Sequence, residues 1–388
     1  MPLTPSARLS RTTPYFFGEL GRRIAELRAR GVDVIRMDMG SPNEPPPAHI
    51  IQALAAGAAL PDSHGYQPQS GAPGLREAWA GHYRREFQVE LDPATQVTPL
   101  LGSKEGIFHL SQALLDPGDV VLIPDPGYLT YTQAALFAGA EPVYLPLDSQ
   151  NHFLPDLEAV APAARRRAKI LWLNYPNNPT AATAPPEFFR RALEFCDRYG
   201  LLLAHDAAYL GVTFDDTPAP SALAFPGAGQ IAVEFNTLSK LYNMAGWRVG
   251  AALGRRDALE RLQAVKSHAD SGHFLPIQQA AIAALTGDQR WVRERNARYA
   301  RRSARLAQAL RVHGLAAETP RASLYVWAAV PPGQTSAGFA AALLAQAGVA
   351  VVPGPVFGPA GEGFLRFSIT LADERLELAL ERLKGFIG

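Results

Sequence analysis

The residues most able to do chemistry lie within one short segment, NTLSKLYNMAGWRVG, at positions 236–250. Lys240 directly follows an apolar run that is typical of a strand. Thr237 and Ser239 come just before it, and Arg248 follows eight residues later. An amine can condense with an aldehyde, while two hydroxyls and a guanidinium can hold a phosphate. The segment therefore predicts a site for a small phosphorylated aldehyde, with Lys240 as the reactive group.

A carboxylate stands near the end of another apolar run, GLLLAHDAAY, at positions 200–209. Because ligands bind at the carboxyl ends of parallel strands, Asp206 is a candidate partner for the protonated ring nitrogen of a cofactor. Tyr209, three residues further on, could donate a hydrogen bond to the same ring. His205 points to the opposite face of a regular strand, so we interpret it as structural.

These strings resemble the class I and II aminotransferases, a family of enzymes that use pyridoxal phosphate (PLP). NYPNNPTAA at 174–182 is similar to the family signature N-P-x-N-P-T-G, and Asp206 and Tyr209 match its D-x-x-Y string. The resemblance covers the chain from about residue 15 to its end. It implies an α/β fold-type-I transferase that moves an amino group from an L-amino acid to a 2-oxo acid, either 2-oxoglutarate or pyruvate.

The resemblance implies that a set of matching residues holds PLP. Lys240 would carry the cofactor and also act as the catalytic base. Ser103 and Lys104, in LLGSKEGIFHL, would offer backbone N–H groups to the phosphate at the start of a helix, and Tyr128 would stack on the ring. The residues implied to bind the cofactor are Ser103, Lys104, Tyr128, Asn178, Asp206, Tyr209, Thr237, Ser239, Lys240 and Arg248, together with Tyr66.

A second set of matching residues would bind the amino acid. Arg366 stands in GEGFLRFSIT, and a guanidinium fork fits an α-carboxylate through two hydrogen bonds. The resemblance adds Asn178 to this carboxylate site, brings the backbone of Gly40 close to it and lets Tyr15 approach the substrate. The signature departs from the family where Ala181 replaces glycine, which would strain the backbone if φ is positive there.

Tyr66 implies an assembly of two chains. It opens YQPQSGAPGLR, which is similar to the family segment Y-x-x-x-x-G-x-x-x-L-R. In that family the tyrosine reaches the phosphate of the neighbouring subunit. We therefore expect a homodimer with shared active sites.

The order of apolar runs predicts two domains. In the middle of the chain, short continuous apolar runs alternate with amphipathic helical patterns, as in a mostly parallel sheet with helices on both faces. After about residue 280, a long helical pattern, several strands and a final helix indicate a small α+β unit. We predict a large PLP-binding domain at 45–280 and a small domain formed by 1–44 and 281–388.

Composition limits the classes of function. The 388-residue chain has a net charge of +1 at pH 7, which favours neither nucleic acid nor a membrane surface as a partner. Cys196 is the single cysteine, which excludes an internal disulfide and fits a reducing cytoplasm. We recognise no secretory leader, membrane span or metal-ligand pattern. We therefore expect a cytoplasmic protein that acts on small molecules.

Several strings look like the LL-diaminopimelate aminotransferase branch of the family, among them PYFFGELGRRIAELRARGVDVI, LGSKEGI, NYPNNPTAA and SHADSGHF. Alanine, broad-range and aromatic aminotransferases share much of this pattern and stay open as alternatives, as does a PLP carbon–sulfur β-lyase on the same fold. A regulatory protein with this fold would need an N-terminal DNA-binding segment. Because the family strings begin by residue 15, we do not favour that class.

Overall fold

The computed structural model describes residues 3–215 and 219–387. Its strands are β1 (Ile35–Arg36), β2 (Val97–Leu100), β3 (Val120–Asp125), β4 (Glu141–Pro146), β5 (Ala168–Leu173), β6 (Leu202–Asp206), β7 (Ala232–Thr237), β8 (Gly250–Gly254), β9 (Tyr325–Ala329), β10 (Val349–Ala350), β11 (Val352–Pro353) and β12 (Phe364–Ser368). Its α-helices are α1 (Ala7–Ser10), α2 (Phe16–Ala29), α3 (Ala48–Ala58), α4 (Pro73–Phe87), α5 (Ser103–Leu114), α6 (Thr130–Ala138), α7 (Pro162–Arg167), α8 (Pro186–Tyr199), α9 (Leu238–Leu241), α10 (Arg256–Ala269), α11 (Leu275–Thr286), α12 (Arg290–Val312), α13 (Ser336–Ala347) and α14 (Asp373–Ile387). None of these described helices is both long and apolar enough to cross a membrane.

Seven of the described strands form the central sheet, in the order β2-β8-β7-β6-β5-β3-β4. β8 is antiparallel to β2 and β7, and the other neighbours are parallel. The strands β3, β6 and β7 are buried along their whole length. Continuous apolar runs are expected for strands covered on both faces, so the predicted mostly parallel α/β sheet is confirmed.

Strand β5 shows how helices cover both faces of the sheet. Leu171 and Leu173 pack in one buried cluster with Phe189 of α8. Trp172, between them, points the other way and stacks on Tyr131 of α6, with ring centroids 4.8 Å apart. Successive side chains of a strand alternate between faces, so one strand contributes to two separate cores. The sheet is thus the middle of three layers.

A smaller antiparallel sheet, β11-β12-β9, carries the C-terminal part of the chain. Leu306 of α12, Leu343 of α13 and Phe367 of β12 share one buried cluster. β1 pairs in parallel with β10, so that Ile35 lies opposite Val349. This pairing agrees with assigning the first residues of the chain to the small domain. The limits of the two domains stay a prediction.

A buried carboxylate links the inner strands to each other and to neighbouring segments through hydrogen bonds. Glu234 of β7 is fully buried and accepts hydrogen bonds from Tyr83 Oη at 2.7 Å, Ser221 Oγ at 2.9 Å and Ala222 N at 2.8 Å. The Nδ1 atom of His205, also fully buried, lies 2.8 Å from Glu234 Oε2. His205 therefore takes part in a structural network, which supports the role we gave it.

We predict that Glu234→Ala lowers the free energy of unfolding by about 3–5 kcal/mol, because its buried partners would be left unpaired. Denaturant unfolding monitored by circular dichroism measures this. Glu187→Ala is the matched control, since Glu187 is exposed and forms an ion pair with Arg190 of its own helix. The control should change the free energy by no more than about 0.5 kcal/mol. Equal effects of the two substitutions would contradict the prediction.

Candidate active site

The carboxyl ends of β2, β3, β5, β6 and β7 meet at one edge of the central sheet, because these strands all run in the same direction. The antiparallel β8 begins at the same edge. Several predicted site residues stand at or just beyond these strand ends, namely Ser103, Tyr128, Asn178, Asp206, Thr237 and Arg248. Parallel sheets bind ligands at this edge, so the fold brings these residues together where a site is expected.

Lys240 lies in α9, a single helical turn that follows β7 directly. The Thr237 hydroxyl caps this turn by accepting a hydrogen bond from Ser239 N at 3.2 Å. The Lys240 amine donates to the backbone oxygen of Gly40. Burial lowers the pKa of the Lys240 amine, so a larger share of it is neutral and able to accept a proton.

Asp206 is buried and presents one satisfied and one open carboxylate oxygen. Oδ2 accepts a hydrogen bond from Tyr131 Oη at 2.7 Å, whereas Oδ1 has no hydrogen-bond partner among the described residues. Asn174 holds the main chain beside it, because its Nδ2 donates to Asp206 O at 2.7 Å. Burial raises the pKa of Asp206 to about 6. The open oxygen is suited to a charged N–H donor on a ligand.

Two hydroxyls, a guanidinium and the N-terminus of a helix lie close together beside Lys240. Thr237 Oγ1 lies 3.0 Å from Ser239 Oγ, and Arg248 Nη1 lies 3.5 Å from the same oxygen. Helix α5 begins at Ser103, directly after Gly102, whose φ is +85°. The positive φ favours glycine at this position, and a Cβ atom on Gly102 would also lie 2.3 Å from Arg248 Nη2. This combination of donors is an anion site of the kind that phosphates occupy.

Arg366 presents its guanidinium between two aromatic rings. Its Cζ lies 4.1 Å from the ring centroid of Tyr325 and 4.6 Å from that of Phe357. Nη1 donates to Asn178 Oδ1 at 2.7 Å, and Nη2 donates to the backbone oxygen of Asp38 at 2.6 Å. The buried Nε has no partner among the described residues. A fixed guanidinium beside an amide is able to bind a carboxylate.

Three residues of the site were missed by sequence reasoning. The Tyr325 hydroxyl lies 3.0 Å from that of Tyr209, and a Cβ atom on Gly40 would lie 2.0 Å from it. A tyrosine within an apolar strand gave no signal. Tyr131 and Asn174 contact Asp206. Asn174 opens the recognised string NYPNNPTAA and Tyr131 follows the predicted Tyr128 by three residues, so these positions could have indicated them.

Three predicted residues, Tyr15, Lys104 and Tyr66, lie at the periphery, whereas Tyr128 lies beside Tyr131 of the site. Lys104 Nζ stands 5.0 Å from the ring centroid of Tyr15, which is partly exposed. Tyr128 is half-buried, with its ring centroid 5.7 Å from that of Tyr131. Tyr66 is 96% exposed and does not reach the site of its own chain, so its role stays a prediction.

Ala181 has a φ of +61°, in the left-handed region. It stands where the family signature has glycine. The condition for backbone strain at this alanine is therefore met.

One group of potential metal ligands lies close to the anion site. Ligand atoms of Glu105, His109 and Asp270 lie within 4.8 Å of one another. The buried Lys266 Nζ stands 3.1 Å from Glu105 Oε1 and 2.5 Å from Asp270 Oδ1. Because an ammonium already bridges the two carboxylates, we interpret the group as an ion-pair cluster.

Fold and site together are those of a fold-type-I transferase with a lysine, an aspartate and an anion cup at one sheet edge. Residues 32–383 match the family described as aminotransferase class I and II, and the chain belongs to this family. It is 45% identical to the LL-diaminopimelate aminotransferase of Moorella thermoacetica over 98% of each chain. Substrate-bound BacF from Bacillus subtilis superposes with a TM-score of 0.93 at 35% identity, over 99% of this chain and 98% of that one. An aspartate aminotransferase single mutant from Thermus thermophilus gives 0.92 at 31% identity, over 99% and 100%.

These matches confirm the predicted family, the fold-type-I architecture and the transfer of amino groups. Members of the family depend on PLP. The roles of the single residues rest on the geometry described above.

The raised pKa of Asp206 predicts how the stability of the ligand-free protein depends on pH. A carboxyl whose folded pKa is about 6, against about 4 when unfolded, contributes stability below pH 4 that is lost as the pH rises to 6. Asp206→Asn should therefore be more stable than the wild type above pH 6, by at most on the order of 2–3 kcal/mol.

Urea unfolding of both ligand-free proteins at pH 5 and pH 8 measures this difference. It should grow from the lower to the higher pH. Asp156→Asn, at an exposed carboxylate, should show no such trend. A difference between Asp206→Asn and wild type that does not depend on pH would refute the argument.

Proposed function

We propose that this aminotransferase holds PLP at the carboxyl edge of the central sheet and transfers the amino group of LL-diaminopimelate to 2-oxoglutarate. The observation that carries the proposal is the placement of Lys240 and Asp206. Asp206 is buried at the end of β6, Lys240 is partly buried just after the neighbouring strand β7, and an anion cup adjoins the lysine.

The unpaired polar atoms of the site fit this cofactor. The buried Asp206 Oδ1 has no hydrogen-bond donor in the described part of the chain, and a protonated ring nitrogen is such a donor. Lys240 would bond to the cofactor, and Tyr209 and Asn178 would face its phenolate oxygen. The phosphate would be held by the start of α5 and by the side chains of Thr237, Ser239 and Arg248, with Tyr128 against the ring. When bound, PLP supplies an electron sink for the pair left on Cα after its proton is removed.

The residues of the chain itself would bind the amino acid and move its proton. The guanidinium of Arg366 and the amide of Asn178 would bind the α-carboxylate. The Lys240 amine, whose pKa is lowered by burial, would take the proton from Cα at Nζ. The Gly40 oxygen, which accepts from Nζ in this structure, would hold the amine close to its working position. Asp206 would keep a positive charge on the ring in place.

Lys240→Ala tests the central role of the lysine. It should reduce transamination by at least about 10³-fold, because both the bond to the cofactor and the base are lost. Steady-state rates and the visible absorbance of the protein mixed with PLP measure this, and the band that titrates with pH should be missing. Lys384→Ala, at an exposed lysine of α14, is the control. Undiminished turnover in Lys240→Ala would refute the proposal.

Two observations bear on the amino donor. The LL-diaminopimelate aminotransferase of Moorella thermoacetica is 45% identical over nearly the whole chain, which supports that substrate. The second charged head of this donor needs polar partners, and the Lys104 ammonium above Tyr15 offers one. A broad-range or aromatic aminotransferase is the second candidate. It is favoured by an aromatic cluster beside Arg366, formed by Phe16, Phe17, Phe153, Trp327, Phe357 and Phe364.

Steady-state rates with LL-diaminopimelate, alanine, glutamate, aspartate and phenylalanine decide between these candidates. We expect the highest kcat/KM for LL-diaminopimelate with 2-oxoglutarate as acceptor. A rate for diaminopimelate at background, beside a robust rate for phenylalanine or alanine, would contradict this substrate. A cysteine thioether is tested beside these donors, because its cleavage to a thiol, pyruvate and ammonia without an acceptor would instead reveal a carbon–sulfur β-lyase.

We also propose a homodimer in which Tyr66 completes the phosphate site of the partner. The Tyr66 side chain is 96% exposed, which suits a contact across subunits. Mixtures of Tyr66→Ala and Lys240→Ala chains, exchanged under mild denaturant, should regain part of the wild-type activity, because each hybrid contains one intact site. Sedimentation velocity gives the assembly state. A monomer that is fully active at high dilution would refute the proposal.

A further inference from the structure

Arg295 of α12 is a buried cation that has no part in the proposed binding of the cofactor or the amino acid. Its side chain has an exposed fraction of 0%. Nη1 donates to the backbone oxygen of Lys240 at 2.6 Å and to that of Leu241. Nη2 donates to the backbone oxygen of Gly211 at 3.2 Å and to Asn296 Oδ1 at 2.6 Å, and Nε donates to the same Oδ1 at 3.2 Å. All five N–H groups of the guanidinium are therefore used.

Burying a guanidinium at this core position costs desolvation free energy. The acceptors described for Arg295 are carbonyl and amide oxygens rather than carboxylates, and burial lowers its pKa to about 10. Its Cζ lies 5.5 Å from the ring centroid of Trp291 and 5.4 Å from that of Tyr299, which offsets part of the desolvation. An apolar side chain of similar volume would generally cost less there. The identity of the acceptors therefore indicates what the guanidinium does.

The acceptors belong to the two segments that carry the main groups of the site. Lys240 and Leu241 end α9, and the last carbonyls of a helix have no partner within it. Gly211 follows Asp206 by five residues in the sequence. A Cβ atom on Gly211 would lie 2.2 Å from Leu241 Cδ1, so the two segments touch at this point. One guanidinium thus joins the backbone of the lysine to the loop that follows the aspartate.

We propose that Arg295 is a positioning residue that fixes the main chain of Lys240 and thereby aims its amine into the site. It touches neither cofactor nor substrate in this role. A displacement of about 1 Å at a reacting group can lower a rate by about 10²-fold. Holding the backbone of Lys240 rigidly in place therefore affects the reaction rate directly. The inference rests on the proposed use of PLP. It adds a residue from α12 that supports the lysine from outside the site.

The test compares two cofactor forms that differ in their need for the lysine. PLP carries an aldehyde that can bond to the Lys240 amine, whereas pyridoxamine 5′-phosphate carries an amine there and cannot. Both use the same ring and phosphate contacts. Equilibrium affinities of the ligand-free protein for the two compounds are measured by fluorescence or absorbance titration. Arg295→Met should weaken PLP binding roughly tenfold to hundredfold. Binding of pyridoxamine 5′-phosphate should stay within about threefold of wild type.

Two further variants sharpen the comparison. Arg295→Lys keeps a cation that can reach one or two of the carbonyls, and it should recover part of the PLP affinity. Arg298→Met is the control, since Arg298 lies on the same helix three residues away and pairs with the Glu44 carboxylate at 2.6 Å. It should change neither affinity. Thermal unfolding shows first that each variant is folded, and if Arg295→Met is not, Arg295→Lys carries the same comparison with a smaller expected loss.

Equal losses for the two compounds, or no loss for either, would overturn the positioning role and leave Arg295 as a structural residue. A wild-type protein that binds neither compound would overturn the proposed function itself. The two failures are therefore distinguishable in one set of titrations.

Discussion

The pairing of β6 with β7 is the constraint on which the site depends. In this register His205 lies opposite Glu234, and Asp206 lies opposite Phe235. A shift by one residue would turn each side chain of the slipped strand to the other face of the sheet. The buried contact between His205 and Glu234, at 2.8 Å, opposes such a shift from the face away from the site. The structural histidine thereby fixes the direction in which Asp206 points.

Burial sets the electrostatics of the site, and it acts in opposite directions on its two central groups. It raises the pKa of Asp206 to about 6 and lowers that of the Lys240 amine. Both shifts disfavour the charged forms and cost stability in the absence of a ligand. Asp206 Oδ1 and Arg366 Nε are buried without a partner among the described residues. A ligand that brings a protonated ring nitrogen and a carboxylate would satisfy both atoms, which is typical of a site built for binding rather than for stability.

The site is assembled from distant parts of the chain. Arg366 of β12 meets Asn178, which follows β5, and the Gly40 oxygen near the N-terminus meets Lys240. The N-terminal and C-terminal segments are joined by the parallel pairing of β1 with β10. Arg295 of α12 donates a hydrogen bond to the backbone oxygen of Lys240. The β1–β10 pairing lies within the region that we assign to the small domain, whereas the other contacts connect that region to the segments at the edge of the central sheet. The geometry of the site therefore depends on how the two regions pack.

The sequence by itself determined the class of protein and the identity of its main groups. Continuous apolar runs predicted a buried, mostly parallel sheet, and the strings around Lys240, Asp206 and Asn178 carried the resemblance to the aminotransferases. These features are local, because a strand that is covered on both faces and a turn at its end are recognisable within a dozen residues. Ala181 is a further local case, since its place in the signature raised the question of a positive φ, and the structure shows one.

Only the tertiary structure decided which side chains complete the site and how each group is tuned. Tyr325 and Arg295 look like ordinary members of a strand and a helix, and their contacts come from residues far away in the sequence. The pKa shifts of Asp206 and Lys240 depend on burial by surrounding elements, which no local pattern encodes. Strand order and the packing of the two regions bring these residues together, so their roles could be inferred only after the chain was folded.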